Sequence, residues 1–142
     1  MAIRSAEAEW TGSLKGGSGT MKFGSGAFEG AYTWSSRFEE GVGTNPEELV
    51  GAAHAGCYSM ALSADLGAEG FTPKHIFTRA QVHLGKVEGK SRITKIHLET
   101  EAEVPEISVE NFKKIAEATK SGCPVSAALT GVDITVDARL IQ

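Results

Sequence analysis

The stretch NPEELVGAAHAGCYSMAL, residues 45–62, decides how the rest of the chain is read. Thr44 or Asn45 can cap a helix, and Pro46 suits its first turn because it has no N–H to leave unpaired. Glu47 and Glu48 sit where the positive end of the helix dipole favours acids. The pattern predicts a helix to about Leu66, with Gly67 as its stop. Within it Leu49, Val50, Ala52, Ala53, Ala55, Cys57, Met60, Ala61 and Leu62 leave little polar face. A helix apolar nearly all round is expected to be buried, so this one should be the central element.

Upstream, IRSAEAEWTGSL (3–14), TMKF (20–23) and AYTWSSRF (31–38) read as short strands. GGSG at 16–19 and GSGAFEG at 24–30 break them, as in an antiparallel meander. Downstream, Ile76, Thr78, Ala80, Val82 and Leu84 alternate with Phe77, Arg79, Gln81 and His83. Ile96, Leu98, Thr100, Ala102 and Val104 alternate with Lys95, His97, Glu99, Glu101 and Glu103. Period two with one charged face predicts an antiparallel hairpin, packed on one side and wet on the other, turning in KVEGKS at 86–91. SVENFKKIAEATK (108–120) is amphipathic, with Ser108 as cap and Phe112, Ile115, Ala116 and Thr119 on one stripe, and Gly122 ends it. Cys123-Pro124 opens a short helix, and VDITVDARL (132–140) closes the chain as a strand. The order βββ-α-ββ-αα-β predicts an α+β fold of antiparallel sheets around a buried central helix.

Size and charge set limits on function. A chain of 142 residues suits one domain, residues 1–142, and 41% hydrophobic residues suffice for a core. The net charge of -4 and the scattering of Lys and Arg among acids argue against a nucleic-acid partner. No apolar run approaches the roughly 20 residues that cross a bilayer, so no membrane partner is expected. The opening MAIRSAEAEW lacks the basic-then-apolar order of a secretory signal. The expected place is the cytoplasm, where the two cysteines would stay mostly reduced.

Packing and chemistry compete to explain those cysteines. A free cysteine in a helix of small residues behaves as a small hydrophobe, and Cys57, in mid-helix, gains little from a helix N-terminus. If it reacts, a cation from elsewhere must hold its thiolate. Cys123 precedes a proline suited to the first helical position, so its sulfur lies near unpaired N–H groups that favour a thiolate. A stabilised thiolate is a good leaving group in disulfide exchange. Spacing alone leaves both readings open.

GTNPEELVGAAHAGCYSMAL together with SGCPVSAAL closely resembles the OsmC/Ohr family of cysteine-based peroxidases, over essentially the whole chain. AAHAGC and CPVS look more like the OsmC branch. The resemblance implies an intertwined dimer and a thiol-dependent peroxidase acting on organic hydroperoxides, and on hydrogen peroxide as a further candidate, in oxidative or osmotic stress defence. It implies that Cys57 attacks the peroxide and becomes a sulfenic acid, and that Cys123 resolves it to an internal disulfide. Arg37, in SSRFEEGVGTNPEE, matches the family's activating arginine, and Glu47 its carboxylate partner. No bound cofactor is implied; an external dithiol, typically a lipoyl group, restores the thiols. The residue types suit the task. An arginine can hold a thiolate and hydrogen-bond a peroxide without titrating, and a carboxylate can fix its guanidinium through a paired hydrogen bond.

Glu47 and Cys57 lie ten residues apart, roughly 15 Å along one helix at about 1.5 Å per residue. That is too far for one side chain to reach. Two such helices antiparallel about an axis near residue 52 would bring Glu47 of one chain beside Cys57 of another, across the small residues Gly51-Ala52-Ala53. A homodimer with two composite sites is therefore expected; a kink between the two residues is the alternative.

Other signals carry less. His54, three residues before Cys57, invites comparison with a hydrolase nucleophile pair, but no third orienting group is evident, and a hydrogen-bonded core histidine is the simpler reading. His83 and His97 are too few for a metal site. GGSGTMKFGSGAFEG lacks the lysine and helix of a phosphate loop. Trp10, Phe28, Trp34 and Phe38 suit a core, an interface or a peroxide pocket equally. The rival from another class is a non-enzymatic module for small-ligand binding or dimerisation, which has no need of Cys57, Cys123, Arg37 and Glu47 together.

Overall fold

Glycine allows the first strands to close on their aromatic side chains. β1 (Ala6–Thr11), β2 (Ser18–Phe23) and β3 (Glu29–Tyr32) form the antiparallel meander expected of them. Gly19 lies opposite both Trp10 and Tyr32, whose rings meet at 5.3 Å across it. A Cβ there would come within 2.6 Å of the Tyr32 ring and 2.7 Å of the Trp10 ring, so only glycine admits this packing. These strands belong to residues 1–49, one of two compact units; residues 50–142 form the other, and the computed structural model describes both in full, residues 1–142.

The third strand stops earlier than its sequence suggests. The pattern of AYTWSSRF predicts a strand to Phe38, but the chain turns into α1 (Trp34–Phe38) after Tyr32. Thr33 is the reason. Its side chain accepts the Ser36 N–H at 3.1 Å while Ser36 Oγ accepts the Thr33 N–H at 2.8 Å, a reciprocal cap that outweighs the β propensity of Tyr-Thr-Trp. Ser36 Oγ also donates to the Thr44 carbonyl at 2.8 Å, and Asn45 Nδ2 donates to the Ser36 carbonyl at 3.0 Å, so the loop before the next helix is tied back to α1.

α2 runs Pro46–Ala68. Asn45 caps it, Oδ1 accepting the Glu48 N–H at 2.7 Å. The stop expected at Gly67 is not observed; the helix runs on to Ala68, and the chain turns away at Gly70, whose φ of 88° is the left-handed conformation a stop requires. Nor is the helix buried all round. His54, Tyr58, Leu62 and Leu66, spaced by four, have 0% exposure, whereas Ala52, Ala53, Gly56 and Met60 on the other side are open, Met60 to 77%. One chain covers only one face of this helix.

β4 (His75–Val87) and β5 (Lys90–Glu103) make the long antiparallel hairpin, closed by Glu88 and Gly89, both at positive φ as a tight two-residue turn demands. Ile96, Leu98, Thr100 and Ala102 are its buried inner face, as the alternation predicts. The last strand departs from an all-antiparallel expectation: β6 (Asp133–Ile141) lies parallel to β5, in the order β4-β5-β6. α3 (Val109–Thr119) and α4 (Pro124–Ala128) supply the long crossover that a parallel neighbour needs. Phe112, Ile115 and Ala116 of α3 join Tyr58, Leu62 and Leu66 of α2 in the core over this sheet. Tyr58 Oη donates to the Ala116 carbonyl at 2.7 Å and Thr119 Oγ1 to Asp65 Oδ2 at 2.6 Å, pinning the two helices together. No helix is long and apolar enough to cross a membrane.

Candidate active site

The crossover brings Cys123 to Cys57. Cys57 stands on α2 beside the buried stripe, partly exposed, while Cys123 is fully buried. Both are free thiols, and each shifts the pKa of the other, as near neighbours do. Cys123 holds its place as the N-cap of α4, Sγ accepting the Ser126 N–H at 3.3 Å, with Pro124 at the first helical position. The Val125 N–H of the same turn favours the thiolate form of both sulfurs.

The two thiols titrate in opposite directions. Burial pushes the Cys57 thiol up; the Val125 N–H resists this, and the Cys123 thiol reinforces it. Burial also works against a Cys123 thiolate, but the Ser126 hydroxyl and N–H, the Cys57 thiol and the Val125 N–H outweigh it and hold Cys123 below its ordinary value. Within residues 50–142 no lysine or arginine stabilises either sulfur, so a negative charge on this pair rests on Cys123. The thiolate-favouring position expected for Cys123 is observed. Cys57 still needs its cation.

Arg37 and Glu47 meet within the first unit. Arg37 Nε donates to Glu47 Oε1 at 3.0 Å and Nη2 to Oε2 at 2.9 Å, the paired geometry the sequence reading gave them. The bond to Glu47 raises the Arg37 pKa; partial burial opposes this, and the Glu47 charge adds to it. The acidic pair at the start of α2 is thus divided: Glu47 clamps the arginine, while Glu48 accepts from Thr44 Oγ1 at 2.8 Å at the cap. Glu47 occupies Nε and Nη2, which leaves Nη1 for another partner.

His54 is the hydrogen-bonded core histidine expected, with Nε2 2.7 Å from Ser126 Oγ. Ser126 itself was missed. Its signal lay in CPVS, where a serine three residues after an N-cap falls beside the capping atom. His97 Nδ1 pairs with Thr135 Oγ1 at 2.6 Å and His83 is exposed; no three His, Cys, Asp or Glu side chains are grouped to hold a metal.

The α+β chain thus carries two free thiols, one fully buried and one partly exposed. The family model for OsmC-like proteins matches residues 39–137, a span that holds Glu47, Cys57 and Cys123 and begins just after Arg37. The chain is 48% identical over 138 residues to Peroxiredoxin OsmC of Escherichia coli (strain K12), covering 96% of each. It belongs to the OsmC family. Two solved structures share its fold. An OsmC-like protein of unknown function from Vibrio cholerae has a TM-score of 0.76 at 16% identity, over 97% of this chain and 99% of that one. An organic hydroperoxide resistance protein OsmC from Legionella pneumophila has a TM-score of 0.73 at 20% identity, over 98% and 99%.

Proposed function

We propose that the protein reduces organic hydroperoxides, and also accepts hydrogen peroxide, through Cys57 and Cys123, as part of oxidative or osmotic stress defence. By family and by its likeness to Peroxiredoxin OsmC it is a peroxidase of the hydroperoxide-reductase class. The observation that carries the two-cysteine reading is the pair of adjacent free thiols, one fully buried. The Cys57 thiolate attacks the terminal oxygen of R–O–OH; an S–O bond forms, the O–O bond breaks, and the alkoxide leaves as the alcohol. Cys123 then displaces hydroxide from the sulfenic acid, giving a disulfide and water. An external dithiol of lipoyl type reduces the bridge, so the cycle needs no bound cofactor. A cytoplasmic setting, where dithiols are at hand, completes the reading.

Mass spectrometry after one equivalent of cumene hydroperoxide tests it. A Cys57–Cys123 bridge is expected. Peroxide consumption with both thiols left free would sink the cycle, and no consumption at all would favour a binding module.

The cation that Cys57 lacks comes, in this reading, from a second copy. The open face of α2 carries Ala52, Ala53 and Gly56, small enough for close helix contact, and the exposed apolar Met60. Antiparallel pairing about residue 52 would set the Arg37–Glu47 pair of one chain beside Cys57 of the other. Sedimentation at micromolar concentration should give a dimer, and Met60→Asp should dissociate it with loss of activity. A fully active monomer would overturn the composite site.

A further inference from the structure

One buried group beside the cysteines has no task in the cycle above. His54 is fully buried, and its Nδ1 has no hydrogen-bond partner. A core position filled for packing alone would not retain an orphaned polar atom, since an aliphatic side chain avoids that penalty. Its other nitrogen, Nε2, lies 2.7 Å from Ser126 Oγ, and Ser126 Oγ lies 3.2 Å from Cys123 Sγ. Thiol, hydroxyl and imidazole therefore stand in one unbroken file.

Counting hydrogens links the two bonds of that file. When the Cys123 thiol donates to Ser126 Oγ, the single hydroxyl hydrogen is left for His54 Nε2, which then accepts it. The imidazole proton then sits on Nδ1. If each of the two hydrogens moves one place along, both bonds reverse. Cys123 becomes a thiolate accepting from Ser126, and His54 Nε2–H donates to Ser126.

We propose that His54, acting through Ser126, is the proton relay of Cys123 as the Cys57–Cys123 bridge closes and opens; the proposal rests on the two-cysteine cycle above. On closure the Cys123 proton passes to Ser126 Oγ while the Ser126 proton passes to His54 Nε2. The sulfur electron pair so freed attacks the Cys57 sulfenic sulfur; the S–S bond forms, the S–O bond breaks, and hydroxide leaves. Hydroxide takes a proton from solvent to become water, and the imidazolium returns one to solvent. On opening, the external dithiol supplies both electrons and is itself oxidised, and Cys123, leaving as thiolate, is reprotonated along the same file.

Burial lowers the His54 pKa, which keeps the imidazole neutral and ready to accept. No carboxylate orients Nδ1, so the imidazolium is held only in passing, unlike that of a hydrolytic triad. His54 is a positioning and relay residue; it does not touch the peroxide.

Rapid-quench single turnover with cumene hydroperoxide, alkylation and mass spectrometry separates Cys57 oxidation from bridge closure. His54→Gln can keep the bond to Ser126 but cannot take up a proton; Ser126→Ala breaks the file; Ser126→Thr keeps the hydroxyl. In the first two, closure relative to Cys57 oxidation should slow by about tenfold or more. Excess peroxide should then drive their Cys57 to sulfinic acid. Ser126→Thr should stay near the unsubstituted protein. Closure in His54→Gln at the unsubstituted ratio, or Ser126→Thr as slow as Ser126→Ala, overturns the relay and leaves the cycle standing. Absence of a bridge in the unsubstituted protein overturns both.

Discussion

In Cys57→Ser protein, added cumene hydroperoxide should survive unreduced, with turnover down by several orders of magnitude. A serine hydroxyl has no anion at neutral pH, and nothing beside it is placed to generate one. Cys123→Ser should behave differently. Its Cys57 can still attack, so one equivalent of peroxide disappears quickly; then no thiol remains to displace the sulfenic oxygen. The protein should stall after about one turnover and, with more peroxide, advance to the sulfinic acid. Stopped-flow consumption together with intact-mass measurement distinguishes the two. Equal residual activity in both would contradict the roles assigned. The asymmetry has a physical root in the environments of the two sulfurs. Cys123 is fully buried and accepts from Ser126, so it is poised to act as leaving group, whereas Cys57 is the partly exposed sulfur that a peroxide can reach.

Arg37→Ala should slow the attack on peroxide by about a hundredfold or more at neutral pH, the usual scale for loss of a fixed charge-stabilising donor. The sign of its pH dependence follows from the sulfur. Burial already raises the Cys57 pKa. A guanidinium nearby favours the thiolate and lowers it, so removing the guanidinium moves the midpoint of the rate–pH curve upward. Activity should therefore fall most at neutral pH and recover in part as the solution is made alkaline. Arg37→Lys keeps a charge but cannot make the two-point contact with Glu47, so it should fall between the two. Alkylation of Cys57 with iodoacetamide across pH reads the midpoint directly. An unchanged profile would show that Arg37 does not serve this sulfur.

The sequence carried different parts of this picture with different clarity. Alternation in Ile96–Ala102 fixed the hairpin because a charged residue every second position can point only to water. The Asn45 cap and acidic first turn marked the start of α2 for an equally local reason. The misread segments depended on side chains bonding to backbone. Thr33 and Ser36 turned a β-like run into α1, and no periodicity reveals a reciprocal cap. The parallel placement of β6 could not be read from its own alternation, which is the same for either direction; only the helices before it allow the crossover. Cys57, Cys123, Arg37 and Glu47 stand out in the sequence only through family motifs. Ser126 does not, because its hydrogen bond joins it to His54, 72 positions away in the chain.

The parallel seat of β6 has a further consequence, for the order in which the molecule comes together. The β4–β5 hairpin joins neighbours and can zip early, whereas β6 must wait for the intervening helices to fold across it, and such distant pairings form slowly. Cys123 rides on that late segment. During synthesis Cys57 therefore emerges long before its companion, so a newborn chain passes through a stage in which that sulfur stands without its neighbour.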